Sequence, residues 1–564
     1  MALRVPQPST PQLFKNGYTY LQGVDEAVLR NISATRGLAD MTRTSFGPNG
    51  RNKMIVNHLE KLFVTNDAAT IIRELEVAHP AARMMVQASQ QQEQEVGDGT
   101  NLVVILAGEL LKQAEDLLRL GLHPSEVVTG YELASHKALE LISELSTQSE
   151  VVRDPRDASE LRKAVYAAIS SKQPSYSSFL TDLVLNAALA VMPRATEDFN
   201  VDSVRVVKVL GASLSDSRMV PGMVFGREPE GMVRRVSDAK VAIFTCPLDV
   251  ALTETKGTVL LKNADELMGF SRGEEEMVEA QVKALADAGV KVVVGGSGMG
   301  ELMLHYLNRY HILVIKILSK FEIRRLCRVV GATALARFGV PMAEEMGYCA
   351  FVETTEIGGD RVTVFRQEED SQGLQTSADG KKRRRTRTAT IVLRGATANH
   401  LDDVERAIDD GINVIKAVAR DGRLLPGAGA TEMEISRLLG AHGDRVAGLH
   451  QHAIKRFARA LEIVPRTLAE TSGLDPTQTI SALQAAHHTG SQITTGVDVK
   501  SDGIGSNGLI DARELGLWDV AAVKESAIRL ATEASLTILR VDQIIMSKPA
   551  GGPKPPSQMG ARDD

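Results

Sequence analysis

The run Glu93-Gln94-Glu95-Val96-Gly97-Asp98-Gly99-Thr100-Asn101 leads directly into Leu102-Val103-Val104-Ile105-Leu106, joining a small acidic glycine loop to the start of an apolar helix. Glycines let a backbone approach a phosphate closely, and the free N–H groups of a helix start bind anions. An aspartate in such a loop calls for a metal, because a carboxylate beside a polyphosphate is repelled unless Mg²⁺ lies between them. Two segments of similar texture precede it, Phe46-Gly47-Pro48-Asn49-Gly50 and Thr65-Asn66-Asp67-Ala68-Ala69-Thr70. The spacing is neither that of a Walker loop nor that of a dinucleotide fingerprint.

Outward from the loop, the apolar pattern runs through Leu110, Leu111, Leu117 and Leu118 and stops at Gly121 and Pro124, with Asp98 or Thr100 as the expected N-cap. A second helix is expected over 127–145, and the polar stretch 146–155 marks a domain boundary. Between about 200 and 365 the texture changes to short β-rich runs: Val204-Arg205-Val206-Val207, Val241-Ala242-Ile243-Phe244, Val290-Lys291-Val292-Val293-Val294 and Leu313-Val314-Ile315. Helical stretches at 275–288 and 321–330 alternate with them, which predicts an α/β module. Long helical patterns return after 400 and continue to Arg540. The whole reads as a multidomain α+β and α/β chain, one helical domain being split by an insertion.

The bulk numbers narrow the function classes. A chain of 564 residues is too long for one core. Aromatic content is 4% with the single Trp518, and net charge is −6, so neither base stacking nor global attraction to nucleic acid or anionic membrane is expected. Cys246, Cys327 and Cys349 lack metal-ligand spacing and read as free thiols in a reducing compartment. With no apolar leader and no membrane-length run, a soluble, cytoplasmic protein is predicted. The basic stretch Lys381-Lys382-Arg383-Arg384-Arg385-Thr386-Arg387 has no aromatic interleaving and is expected to be an exposed loop between strands at 362–365 and 390–393.

Later segments complete a pattern. Leu425-Pro426-Gly427-Ala428-Gly429-Ala430-Thr431-Glu432 precedes a helix; Glu405-Arg406-Ala407-Ile408-Asp409-Asp410-Gly411 lies upstream; Gly496-Val497-Asp498, Asp511 and Asp519 follow. Singly, each reads as a turn or a solvated cap. In this order and approximate spacing, together with the loops at 46–50, 65–70 and 97–101, they resemble the group II chaperonins over essentially the whole chain. The ending Leu539-Arg540-Val541-Asp542-Gln543-Ile544-Ile545-Met546 resembles that of one subunit type of the eukaryotic cytosolic member of that family.

The resemblance implies a mainly helical equatorial ATPase domain over 1–153 and 425–564. It also implies a small intermediate hinge domain over 154–225 and 391–424, and an α/β apical domain over 226–390 with a helical lid protrusion near 253–273. Gly47, Pro48, Asn49 and Gly50 with Gly97, Asp98, Gly99, Thr100 and Asn101 would cradle the phosphates of ATP, and Asp98 would hold Mg²⁺. Asp67 and Asp410 match the carboxylates that orient and activate water, and Lys172 matches a γ-phosphate sensor. Gly427, Ala428, Gly429, Asp511 and Asp519 would line the adenosine, and the helix at 321–328 would face client protein. The implied function is that of an ATP-hydrolysing subunit in a hetero-oligomeric double ring of related chaperonin subunits that folds non-native proteins. Ala68 and Ala428 stand where many relatives have glycine, which leaves open a ring subunit that binds nucleotide, hydrolyses weakly and gives register and client contacts. The extra methyl at Ala428 costs little if its φ is negative and more if φ is positive.

Overall fold

The computed structural model describes residues 19–22, 27–57, 59–249, 264–367, 374–376, 382–384, 388–500 and 508–546. Its centre is the helix Thr100–Arg119, in which Leu102 to Gly108 are buried without a break. A helix that is apolar on every side must sit inside a bundle. Leu29–Arg43, Pro80–Glu95 and Pro124–Thr147 surround it from the N-terminal part of the chain. Ala430–Gly443, His450–Leu461 and Ala521–Leu539 complete the bundle from the C-terminal part. One apolar core joins the two parts, from Val28 to Ile142 and from Leu425 to Leu539. Close crossings need missing side chains: a Cβ on Gly108 would collide with Ala39, and one on Gly130 with Ala453. The chain ends meet as well, Thr19–Gln22 pairing antiparallel with Gln543–Met546.

A second core gathers the helices Ala158–Lys172, Ser177–Val191 and Ala398–Arg420. Against it begins a nine-stranded mixed sheet. Val204–Leu210 runs parallel to Ala389–Gly395, so the insertion leaves and returns on neighbouring strands. Arg218–Phe225 pairs with Ala389–Gly395 through its first half and with Asp360–Arg366 through its second, and carries the sheet outward. Farther out, Arg235–Phe244 lies parallel to Val290–Gly295, which lies parallel to Leu313–Lys316. Along Arg235–Phe244, Ala239, Val241 and Ile243 enter one apolar cluster, while Ala242 and Phe244 enter another on the opposite face. Lys320–Val330 covers the first cluster, and Ala264–Asp287 with Glu301–Arg309 covers the second. This is the burial on both faces that parallel strands require.

Three expectations need correction. Neither Asp98 nor Thr100 caps the central helix: its N-cap is Gly99, left-handed at φ +79°, and Asp98 Oδ1 accepts the Gly99 N–H at 2.7 Å. The next helix begins at Pro124, not near 127, because proline at the first position needs no N–H partner. Within the basic stretch, Lys382–Arg384 is a strand paired antiparallel with Leu374–Thr376; the rest of that stretch lies outside the described residues. The expected lid protrusion falls outside them up to residue 263, after which the helix Ala264–Asp287 begins. Among the described residues, no helix is long and apolar enough to cross a membrane.

Candidate active site

Two helices start with a left-handed glycine on the same cavity. Gly99 caps Thr100–Arg119, and Gly429, at φ +81°, caps Ala430–Gly443. Both N-termini present unpaired N–H groups and the positive end of a helix dipole, which makes the space between them suited to an anion. The cavity measures about 380 Å³ and is walled by Gly47, Pro48, Asn49, Asp67, Asp98 to Asn101, Lys172, Gly427 to Gly429 and Asp519. A volume of that size holds a small organic ligand. Gly50, Gly97, Asp410 and Asp511 stand behind the wall. Gly50 closes the first turn by donating its N–H to the Gly47 carbonyl at 2.9 Å. Asp511 accepts the Arg513 N–H at 2.9 Å in the strand Leu509–Asp511, whose Ile510 does line the cavity.

At one end lies an ion triad. Asp67 caps the helix Ala68–Glu74; its Oδ2 accepts the Thr70 N–H at 3.0 Å and the Thr70 hydroxyl at 2.8 Å. Its Oδ1 accepts from Lys172 Nζ at 2.9 Å, and the same ammonium pairs with Asp410. Burial pushes the Asp67 carboxyl up, but the Lys172 charge and the hydrogen bonds from Lys172 and Thr70 outweigh it and bring it to about 2. Asp410 moves the other way. Burial, reinforced by the charges of Asp98 and Asp67, raises it well above the carboxylate range despite Lys172. Burial would lower the Lys172 pKa, yet the two carboxylates drive it above that of an ordinary lysine. Asp98 is raised chiefly by burial, with Lys172 opposing. One site thus holds a carboxylate kept ionised and another that favours a proton, the pairing that general acid–base chemistry uses.

At the other end lies a second buried group, Lys524 between Glu432 and Asp519, the latter at 3.0 Å. Burial works against the Lys524 charge, and both carboxylates restore it. Sequence reading passed over Lys524, although the signal is present. It falls three residues after Ala521 and four before Ile528, on the buried stripe of Ala521–Leu539. Gln92 was missed as well; its amide donates to the Asp98 carbonyl at 2.9 Å and accepts from Ser526 at 2.7 Å, tying the acidic loop to the C-terminal helix. Asp403 was also missed. It accepts the Thr65 hydroxyl at 2.7 Å and the Gln173 amide at 2.9 Å.

The wall fits a phosphorylated ligand with one metal. Asn66 Oδ1 and Asn101 Oδ1 are buried without a hydrogen-bond partner among the described residues, and both residues line the cavity. A Cβ on Gly47 (φ +81°) would lie 2.7 Å from Leu468, and one on Gly429 would lie 2.9 Å from Pro465. These turns are therefore compatible only with bare backbone toward the ligand. No cluster of three or more His, Cys, Asp or Glu among the described residues forms a metal cage. Asp98 would thus share a cation with ligand oxygens and water, the usual arrangement for Mg²⁺.

A sequence model described as the TCP-1/cpn60 chaperonin family matches residues 38–549. A "Probable T-complex protein 1 subunit theta" of Schizosaccharomyces pombe is 56% identical over 564 residues, covering 100% of both chains. The "T-complex protein 1 subunit theta" of Homo sapiens is 49% identical over 565 residues, covering 100% of this chain and 99% of its own. That of Saccharomyces cerevisiae is 50% identical over 573 residues, covering 99% and 98%.

Proposed function

The chain belongs to the TCP-1/cpn60 chaperonin family, and from that premise we propose that it is an ATP-hydrolysing theta-type subunit of a cytoplasmic hetero-oligomeric chaperonin ring. The observation that carries the reading is the convergence of two glycine-capped helix N-termini on a cavity with Lys172 held between Asp67 and Asp410. The domain division proposed is equatorial over 1–153 and 425–564, intermediate over 154–225 and 391–424, and apical over 226–390. It is supported by one core shared between the chain's two ends and a second built mainly from the segments flanking the insertion.

In this reading the amides at Gly99 to Asn101 and at the Gly47 turn bind the phosphate chain of ATP, while the Gly427–Gly429 turn and Asp519 form the adenosine side, with Asp511 behind it supporting the strand that presents Ile510. Asp98 would hold Mg²⁺, which when bound would supply charge compensation at the phosphate oxygens. Asp67, fixed by Thr70, orients a water. Asp410, as the carboxylate paired with Lys172, takes a proton as the water oxygen bonds to the γ-phosphorus and the bond to the bridging oxygen breaks, giving ADP and phosphate. Lys172 compensates charge between them. Since Asp410 and Lys172 come from the second core and Asp67 from the first, completion of the site depends on how the two bodies meet. Closure of that hinge would act on non-native client protein through the apical sheet and the helix Lys320–Val330.

One observation favours a weakly hydrolysing structural subunit: Ala428 lies in the left-handed region at φ +56°, a strained start to the adenosine wall. A single experiment separates the readings. Tagged chain purified gently from its own cells is expected in a particle of about 1 MDa containing related chains. An Asp410→Ala substitution should lower the particle's ATP turnover by this chain's share. Unchanged turnover selects the structural subunit, and a monomer or dimer that hydrolyses ATP removes the ring altogether.

A further inference from the structure

Behind the Gly427–Gly429 turn lies a circuit of hydrogen bonds that starts at Ala428 and Val497 on the cavity wall and runs back to Thr495, His487 and Glu434, which do not line it. Ala428 is an L-residue held at φ +56°, a conformation disfavoured by about tenfold in population when nothing enforces it. Gly427 and Thr431 anchor the ends of the turn, bonding to the Leu517 and Pro426 carbonyls at 3.0 Å and 2.7 Å, and the strand Thr495–Val497 is bonded to Ala428 itself. The Val497 N–H donates to the Ala428 carbonyl at 2.9 Å, and Gly496 lies flat on the turn. A Cβ on Gly496 would come within 2.7 Å of that carbonyl oxygen and 2.8 Å of the Ala428 methyl.

The strand is itself held from behind. His487 Nε2 lies 2.8 Å from the Thr495 carbonyl, and His487 Nδ1 lies 2.9 Å from Glu434 Oε2. A carbonyl and a carboxylate both accept, so each ring nitrogen faces an acceptor. His487 is 1% exposed and Glu434 2%. Arg437 Nε adds a further bond to Glu434 at 3.2 Å. Glu434 belongs to the helix Ala430–Gly443, which begins at Gly429, so the circuit closes on the turn it restrains. An apolar pair would join these elements at a smaller desolvation cost; a hydrogen-bonded pair held at both ends adds direction.

We propose that Glu434 and His487 are a positioning pair that holds Ala428 in its left-handed conformation and thereby sets the site's affinity for the nucleoside part of its ligand. The inference rests on the reading of the cavity as a nucleotide site. Without the clamp the turn relaxes, and the apparent dissociation constant rises by the inverse of the competent fraction. The phosphate loops at Gly47 and Gly99 lie on other elements; Asn49 of the former donates to the Val499 carbonyl at 2.8 Å, beyond the end of the strand, so relaxation at Ala428 should reach the phosphate side less than the nucleoside side. Glycine at 428 takes φ +56° without strain, so Ala428→Gly removes the need for the clamp.

The test is photolabelling of this chain within the purified particle by Mg·8-azido-ATP, with ATP and inorganic tripolyphosphate as competitors. His487→Gln should raise the ATP concentration for half-protection about tenfold and leave that for tripolyphosphate within about twofold. Adding Ala428→Gly should recover most of the loss. Glu434→Gln should reproduce the pattern more weakly, and it supplies the result if His487→Gln does not enter the particle. Equal shifts for both competitors, no shift for either, or failure of Ala428→Gly to recover ATP protection would each overturn the positioning role. Absence of specific labelling of the unaltered chain would instead remove the nucleotide reading, and the inference with it.

Discussion

Lys172 supplies one positive charge to two carboxylates, and their surroundings divide it unequally. Asp67 has the Thr70 N–H and hydroxyl in addition to the ammonium, so it stays ionised where Asp410 favours a proton. The asymmetry has a measurable consequence for stability. The folded-state pKa of Asp67 is about 2, below its ordinary 3.8, so its contribution is complete above pH 3.8 and is lost as pH falls through about 2. Asp67→Asn should therefore cost about 2 kcal/mol at neutral pH. In urea unfolding of the full chain, the gap to the unaltered protein should narrow below about pH 4. A gap that stays constant with pH would show that Asn replaces the cap and that the ion pair adds little. Asp67 and Asp98 stand out in the sequence because they sit in short polar loops, whereas Lys172 was reached only through the family resemblance. Lys524 and Asp403 were passed over because each lies within an otherwise regular helix.

Helix Ala398–Arg420 is the element that binds the site together. Asp403 and Asp410 are seven residues apart, about two turns, and so share one face. The first carboxylate reaches Thr65 and Gln173, the second Lys172. One turn on, Asn413 rests against Gly97, where a Cβ would collide with its side chain. Gly97 also has φ +86°, so alanine there meets both backbone strain and the helix. Gly97→Ala should push the helix from the acidic loop and separate Asp410 from the ligand. A displacement near 1 Å predicts a fall in this chain's turnover of about tenfold to a hundredfold. ATP protection in the photolabelling assay should change by less than about threefold, since Gly97 is not on the cavity wall. Equal losses in both measurements would mean that the loop, not the helix, had moved.

At the scale of the whole molecule the two chain ends share one core, and neither can bury its apolar surface alone. The central helix Thr100–Arg119 meets Leu29–Arg43 on one side and Ala521–Leu539 on another, and Ser535 donates to the carbonyl of Ala107 at 3.4 Å. A chain ending at residue 424 would leave that helix with an uncovered apolar side. It should fail to unfold cooperatively and should be digested rapidly through residues 27–147 by added protease. A protease-resistant N-terminal fragment with a sharp melting transition would contradict a shared core. The insertion is placed differently, leaving on Val204–Leu210 and returning on Ala389–Gly395 as parallel neighbours, so its attachment passes through a sheet.

The sequence alone determined the local features. Apolar runs of helical length, β-rich runs among them, and glycine loops before helices were legible because each depends on residues close together in the chain. Family resemblance supplied the domain order and the site residues that are proposed. Tertiary structure decided what depends on partners hundreds of positions away. The Lys524 ion group, the pairing of Lys172 with both Asp67 and Asp410, and the Glu434–His487 clamp join segments that no spacing rule connects. It also decided the sign of φ at Ala428. Steric preference alone favours negative φ for alanine; the +56° observed accompanies a hydrogen bond from Val497 of the strand Thr495–Val497 to the Ala428 carbonyl.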